Sequence, residues 1–155
     1  MKIDTLTSDF LESLLFVADN PDHDDRPLEG ASIYDFAPAF ASAASDFVHG
    51  FRAYLAEHSP DLYERCDNCE RSFGGNVFFS LSGHGCGFWD DRDSELGSAL
   101  HAALEAFSGS RYRFEGLEHA LSRDEESGKI DLAFLPSALE KYRARYFRDG
   151  AAFVS

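Results

Sequence analysis

Cys66-x-x-Cys69, followed after fourteen residues by His84-x-Cys86, is the constellation in this chain with the most capacity for chemistry. Two thiolates on a tight knuckle, with an imidazole and a third thiolate on a turn, supply the soft sulfur and borderline nitrogen donors that a tetrahedral zinc shell takes. A zinc held by all four side chains is structural, because no open position remains for a substrate or an activated water. The second pair has one intervening residue rather than a standard finger spacing, and alternate strand positions aim two ligands alike only if the turn cooperates. The competing reading is an unmetallated turn with buried or free thiols. As a nucleophile and its base, His84 and Cys86 are badly placed. Two residues apart on a tight turn, imidazole and thiol rarely come into hydrogen-bond reach, and no third group orients them.

Other residue types with chemical potential have simpler explanations. Asp90, Asp91, Asp93 and Glu95 resemble metal-binding or glycosidase-type acids in kind. They stand immediately before a helical apolar stripe, however, where orphan N–H groups and the macrodipole favour carboxylates. Gly74, Gly75, Gly83, Gly85 and Gly87 do not form a phosphate loop: no Lys-Ser or Lys-Thr follows them and no G-x-G-x-x-G opens the next helix. Phe78, Phe79, Phe88 and Trp89 are of the types that stack nucleobases, but without a basic groove they read as core. The chain is therefore expected to be non-enzymatic.

Charge limits the partners. The 28 acidic against 14 basic side chains give a formal net charge of -14. Phosphate backbones require clustered Lys and Arg, so nucleic acid and anionic lipid are poor partners. The same field attracts the basic grooves of proteins that bind nucleic acid, because complementary potentials accelerate encounter. Solubility alone is the plainer use of such acidity. No apolar run approaches the roughly 20 residues a bilayer crossing needs, and Met1-Lys2-Ile3-Asp4 lacks the apolar centre of a signal peptide. A cytoplasmic protein is expected. Three cysteines, an odd number, do not suggest a secreted disulfide framework.

The elements that must position these residues follow from periodicity. The 155 residues suit one α+β domain, 1–155, with a small antiparallel sheet or β-hairpin against about four helices. Leu6, Phe10, Leu14 and Leu15 predict a helix over about 7–19, capped by Thr7 or Ser8. The stretch 20–27, with Pro21 and Pro27 around Asp22, Asp24 and Asp25, reads as an exposed acidic loop. Pro38 opens a helix carrying Phe40, Ala44, Phe47, Phe51 and Tyr54, ending near His58. Val77 to Leu81 has the aromatic and β-branched character of a strand, so 77–89 reads as a hairpin with a glycine-rich turn. A helix is predicted over 92–108, stopping at Gly109. Strands follow at Arg111–Phe114 and Ile130–Leu135 around the polar loop 122–128, which holds Glu125 and Glu126. Ser137 opens a last helix, closed by Gly150, with Lys141, Arg143, Arg145 and Arg148 gathered in it.

Phe78-Phe79-Ser80-Leu81-Ser82-Gly83-His84-Gly85-Cys86-Gly87-Phe88-Trp89-Asp90, with Leu96-Gly97 following, resembles a segment of small acidic proteins from bacteriophages and other mobile elements. The resemblance covers about residues 77–108. Cys86 stands where those proteins usually have a small non-ligand residue, and the Cys66–Cys69 knuckle lies outside the shared segment. The resemblance implies a phage or mobile-element origin. Small acidic proteins of such elements include inhibitors of host restriction or CRISPR systems, some of which look like DNA to their targets. The leading expectation is thus an acidic protein-binding module that inhibits a host defence protein. It would present a DNA-like negative surface to a basic nucleic-acid-binding groove, with Asp22, Asp24, Asp25, Glu125 and Glu126 as contacts. The alternative is a zinc-bearing structural or regulatory domain built on Cys66, Cys69, His84 and Cys86.

Overall fold

The computed structural model describes residues 2–18, 28, 30–132, 146 and 147. Among these are five α-helices and one two-stranded antiparallel sheet, a single α+β arrangement. The acidic loop at 20–27 and most of the last predicted helix lie outside the described residues.

The first helix, α1 (Thr5–Ala18), buries Thr7, Phe10, Leu11 and Leu14. Its start differs from the expected Thr7 or Ser8 cap. Asp4 takes that role, its Oδ1 accepting from the Thr7 N–H at 3.0 Å, while the Thr7 hydroxyl donates back to the same carboxylate. The second helix, α2 (Pro38–His58), begins with proline in its first turn and buries Phe40, Ala44, Phe47 and Phe51 on one stripe. A short α3 (Pro60–Arg65) leads into a 3-10 turn at Cys66–Asn68.

The expected hairpin at 77–89 is not formed. Residues Phe73–Ser82 make a helix, α4, which buries Phe73, Val77, Phe78 and Leu81. Those positions recur at helical spacing. The β-favouring Val and Phe side chains are overridden by burial on a helical face, since strand preference mainly reports fit to a half-buried pleated surface. Close approach to α1 confirms the helical packing: a Cβ on Gly74 would lie 2.0 Å from the Leu6 carbonyl oxygen. Gly83, at φ +78°, closes α4 in the left-handed conformation that glycine adopts without a steric penalty.

After a 3-10 turn at Phe88–Asp90 comes α5 (Ser94–Ser108), with Asp93 as its N-cap accepting from the Leu96 N–H at 3.0 Å and Gly109 at its C-terminus. The predicted strand at Arg111–Phe114 is instead a turn. It inserts Phe114, wholly buried, into the core and hydrogen-bonds its N–H to the Leu81 carbonyl at 2.8 Å. The sheet is formed further on by β1 (Leu121–Arg123) and β2 (Ile130–Leu132), with Leu121 opposite Leu132 and Arg123 opposite Ile130. Ser122 and Arg123 are therefore strand residues, not loop. The Ala37 N–H donates to the Ile130 carbonyl at 2.8 Å, tying this hairpin to the entrance of α2.

Phenylalanines dominate the core. Phe10 meets Phe114 edge-on at 5.1 Å, Phe47 meets Phe114 at 4.9 Å, and Phe51 stacks on Phe73 at 5.6 Å. Each such buried ring contributes about 1.5–3 kcal/mol relative to exposure, and edge-to-face pairing adds to that. Phe147 packs against Phe10, Phe40 and Phe114, bringing the far end of the described chain into the same cluster.

Candidate functional site

The segment 80–97 is an elaborate corner between two helices. Ser80, buried on α4, accepts the Phe88 N–H on its Oγ at 2.9 Å, and Asp90 Oδ2 accepts the Gly87 N–H at 3.0 Å. These bonds satisfy backbone donors that a tight, partly buried turn would otherwise orphan. Gly87 has no room for a side chain, since a Cβ there would lie 2.5 Å from Ser80 Oγ and 2.7 Å from the Trp89 ring. The glycines of the distinctive motif are thus explained by close packing and by left-handed turns at Gly83 and Gly85.

The same corner forms one wall of a cavity of about 440 Å³, to which the motif contributes Ser80, Gly83, Gly85 and Trp89. His101 of α5 and the turn residues Arg111 and Tyr112 complete it. Trp89 meets His101 edge-on at 4.8 Å, and the Arg111 guanidinium lies 5.5 Å from the centre of the Tyr112 ring. Glu105 links two lining residues, its Oε1 being 2.8 Å from His101 Nε2 and 3.5 Å from Arg111 Nε. Sequence reasoning missed His101, Arg111 and Tyr112 as a group. They come from separate segments that only the fold brings together.

The four proposed zinc ligands are placed as follows. Cys66 is buried in the 3-10 turn after α3, and its thiol donates to the Tyr63 carbonyl at 3.1 Å. Burial raises its pKa despite the nearby Arg52. Cys69 is half-buried, and burial, followed by the charges of Asp91 and Cys66, pushes its thiol up to about 12. His84 Nε2 faces Glu118 Oε1 at 3.2 Å. Cys86 is half-buried, and all three cysteines are free. Among the described residues no three His, Cys, Asp or Glu side chains are grouped so as to hold a metal ion. The fold thus brings Cys66 and Cys69 to one knuckle, while His84 is engaged by Glu118.

Carboxylates gather around that knuckle. Arg65 reaches Asp61 at 3.5 Å and Asp93 at 3.2 Å, Arg92 reaches Glu70 at 3.0 Å, and Arg52 reaches Asp67 at 3.0 Å. The Glu70 N–H donates to Asp91 Oδ2 at 2.7 Å, joining the knuckle to the start of α5. Glu64 and Glu95 are exposed on the same elements. A second acidic area lies on α1, where Asp9 and Glu12 flank a shallow depression with Phe16 and Phe79. Burial, followed by the charge of Glu12, pushes the Asp9 carboxyl up. Phe16 is 77% exposed and falls off the buried stripe of α1, which is the signal that could have marked it.

Glu125 and Glu126 are exposed in the turn between β1 and β2. Asp124 organises that turn by accepting the Ser127 N–H at 3.1 Å, and Gly128 completes it at φ +72°. Asp22, Asp24 and Asp25 lie outside the described residues. No described helix is long and apolar enough to cross a membrane.

Comparison with protein families, curated proteins and solved structures gives no match to this chain.

Proposed function

We propose that this chain is a non-enzymatic, acidic protein-binding module of phage or mobile-element origin. It inhibits a host defence protein by presenting carboxylates to that protein's basic nucleic-acid-binding surface. The observation that carries this reading is the pairing of cations: Arg52, Arg65, Arg92, Arg111 and Arg123 each face a carboxylate of the chain itself. The formal net charge of -14 is set by composition, and among the described residues Glu64, Glu95, Glu125 and Glu126 are exposed carboxylates outside these pairs. Complementary potentials then favour a cationic partner and disfavour nucleic acid. Glu125 and Glu126 at an exposed turn, together with Asp22, Asp24 and Asp25 of the acidic stretch 20–27, are the contacts.

The test is affinity capture from host lysate at low and high salt. A partner with a nucleic-acid-binding groove, captured at low salt and released at high salt, supports the reading. Capture indifferent to salt, or competition-free binding in the presence of the partner's own nucleic acid, counts against it.

The second reading is a zinc-bearing structural domain. It rests on the placement of Cys66 and Cys69 on one knuckle, Cys66 opening the 3-10 turn after α3 and Cys69 directly following it.

A further inference from the structure

The cavity at the corner between α4 and α5 is not used by the acidic-surface reading, and its walls define a ligand chemistry of their own. Trp89 is 37% exposed and Tyr112 is 51% exposed, so two aromatic rings are available at one opening. Gly83 and Gly85 offer bare backbone beside them, and a Cβ on Gly85 would meet nothing within 4 Å. A volume of about 440 Å³ with aromatic walls and a few convergent polar groups is the usual form of a small-molecule site.

The polar groups at the rim come in opposite signs. Arg111 is a donor with a 68% exposed side chain, and Glu105, 3.5 Å away, is an acceptor. The Glu115 side chain lies 3.7 Å from the position a Cβ on Gly83 would occupy, adding a second carboxylate. A cationic ligand would confront Arg111, and an anionic one would confront Glu105, Glu115 and the field of the whole chain. An aliphatic ligand would leave the exposed Trp89 and Tyr112 rings without a stacking partner. What remains is a flat, uncharged molecule with a donor and an acceptor on one edge.

We propose that this cavity binds an uncharged nitrogen heterocycle of the nucleobase or nucleoside class, its ring face against Tyr112 or Trp89 and its polar edge toward Arg111 and Glu105. The ring faces supply stacking, which tolerates any base, and the edge supplies orientation. The site is independent of the acidic face and stands whether or not a protein partner is found.

Trp89 is the only tryptophan of the chain, so its fluorescence reports on this cavity alone. The full-length protein is titrated with adenosine, guanosine, cytidine and uridine. A saturable change with at least one nucleoside is expected. Tyr112→Ala and Arg111→Ala, both at exposed positions, are each expected to weaken it about tenfold while leaving the helical circular dichroism unchanged. Adenosine 5′-monophosphate is expected to bind more weakly than adenosine at low salt, with the gap narrowing as salt rises. No saturable change with any of the four nucleosides at millimolar concentration overturns the proposal. So does tighter binding of the monophosphate, or an affinity that neither substitution alters.

Discussion

The carbonyl oxygen of Phe88 sits where a side chain on Gly97 would have to begin: a Cβ at Gly97 would lie 2.1 Å from it. The obstructing atom is backbone, held in a 3-10 turn, and cannot swing aside. Gly97→Ala is therefore expected to cost about 1–3 kcal/mol through forced separation of α5 from the turn. Gly85→Ala meets open space and is expected to cost only about 1–2 kcal/mol, from its positive φ. Thermal unfolding of the two variants, read by circular dichroism, checks the order. Equal midpoints would show that close packing at Gly97 does not matter.

Ser80 supplies the acceptor that the buried Phe88 N–H needs. Ser80→Ala leaves that donor unsatisfied and is expected to destabilise the fold by about 1–3 kcal/mol. Ser80→Thr keeps the hydroxyl and should retain more stability than Ser80→Ala. Urea denaturation of both variants decides; an alanine variant as stable as the parent would remove Ser80 from the account of this corner.

The Cys69 thiol, pushed up to about 12, is more easily kept protonated in the folded chain than in the unfolded one. The folded state therefore holds its proton more firmly. The associated stability is fully present below the ordinary thiol pKa and is lost as pH rises from there toward about 12. Cys69→Ser should flatten the fall in stability across that alkaline window. In the parent protein, alkylation of Cys69 by iodoacetamide at pH 8 should be slow, because the thiolate is the nucleophile. Mass spectrometry of the labelled peptides measures it, and rapid labelling of Cys69 would contradict the placement.

Zinc has a direct measurement. If Cys66, Cys69, His84 and Cys86 hold zinc, dialysis against a chelator lowers the melting temperature, and an unchanged midpoint removes that reading. One zinc per chain in metal analysis, lost together with stability on Cys69→Ser, would establish the alternative domain.

Charge reversal tests the partner-binding proposal. Glu125→Lys and Glu126→Lys stand at an exposed turn tip and should leave stability within about 0.5 kcal/mol of the parent. Combined with Asp24→Lys and Asp25→Lys, they should slow association with the captured partner severalfold at low salt, with dissociation much less affected. Surface plasmon resonance at two salt concentrations separates the two rates. An unchanged association rate would take these carboxylates out of the interface.

The sequence made some elements plain because their signals were local. Pro38 at the start and the stripe Phe40, Ala44, Phe47, Phe51 place α2 within its observed bounds, and Asp93 and Gly109 bracket α5 through capping chemistry. Phe73–Ser82 was misread because Val77, Phe78 and Phe79 favour strands, whereas Gly74 and Gly75 permit the contact with α1 that makes a helix there. Phe73, Val77, Phe78 and Leu81 do recur at helical spacing, but the contact with α1 that decides between helix and strand joins distant parts of the chain. The strand beginning at Ile130 is legible in the sequence, whereas its partner lies at 121–123 rather than 111–114: each strand has only three residues, and the pair is fixed partly by the remote hydrogen bond to Ala37. The cavity was invisible for the same cause, since Trp89, His101 and Tyr112 are each ordinary in their own stretch.

Phe147 completes a ring cluster whose other members, Phe10, Phe40 and Phe114, are made much earlier in synthesis. While the chain emerges from the ribosome, those three rings cannot reach their final shielding until residue 147 is also outside the exit tunnel. Until residue 147 is free to pack, the emerging chain carries ring faces that lack this cover. Any cell that makes it must keep that surface from neighbouring chains for the whole of that interval.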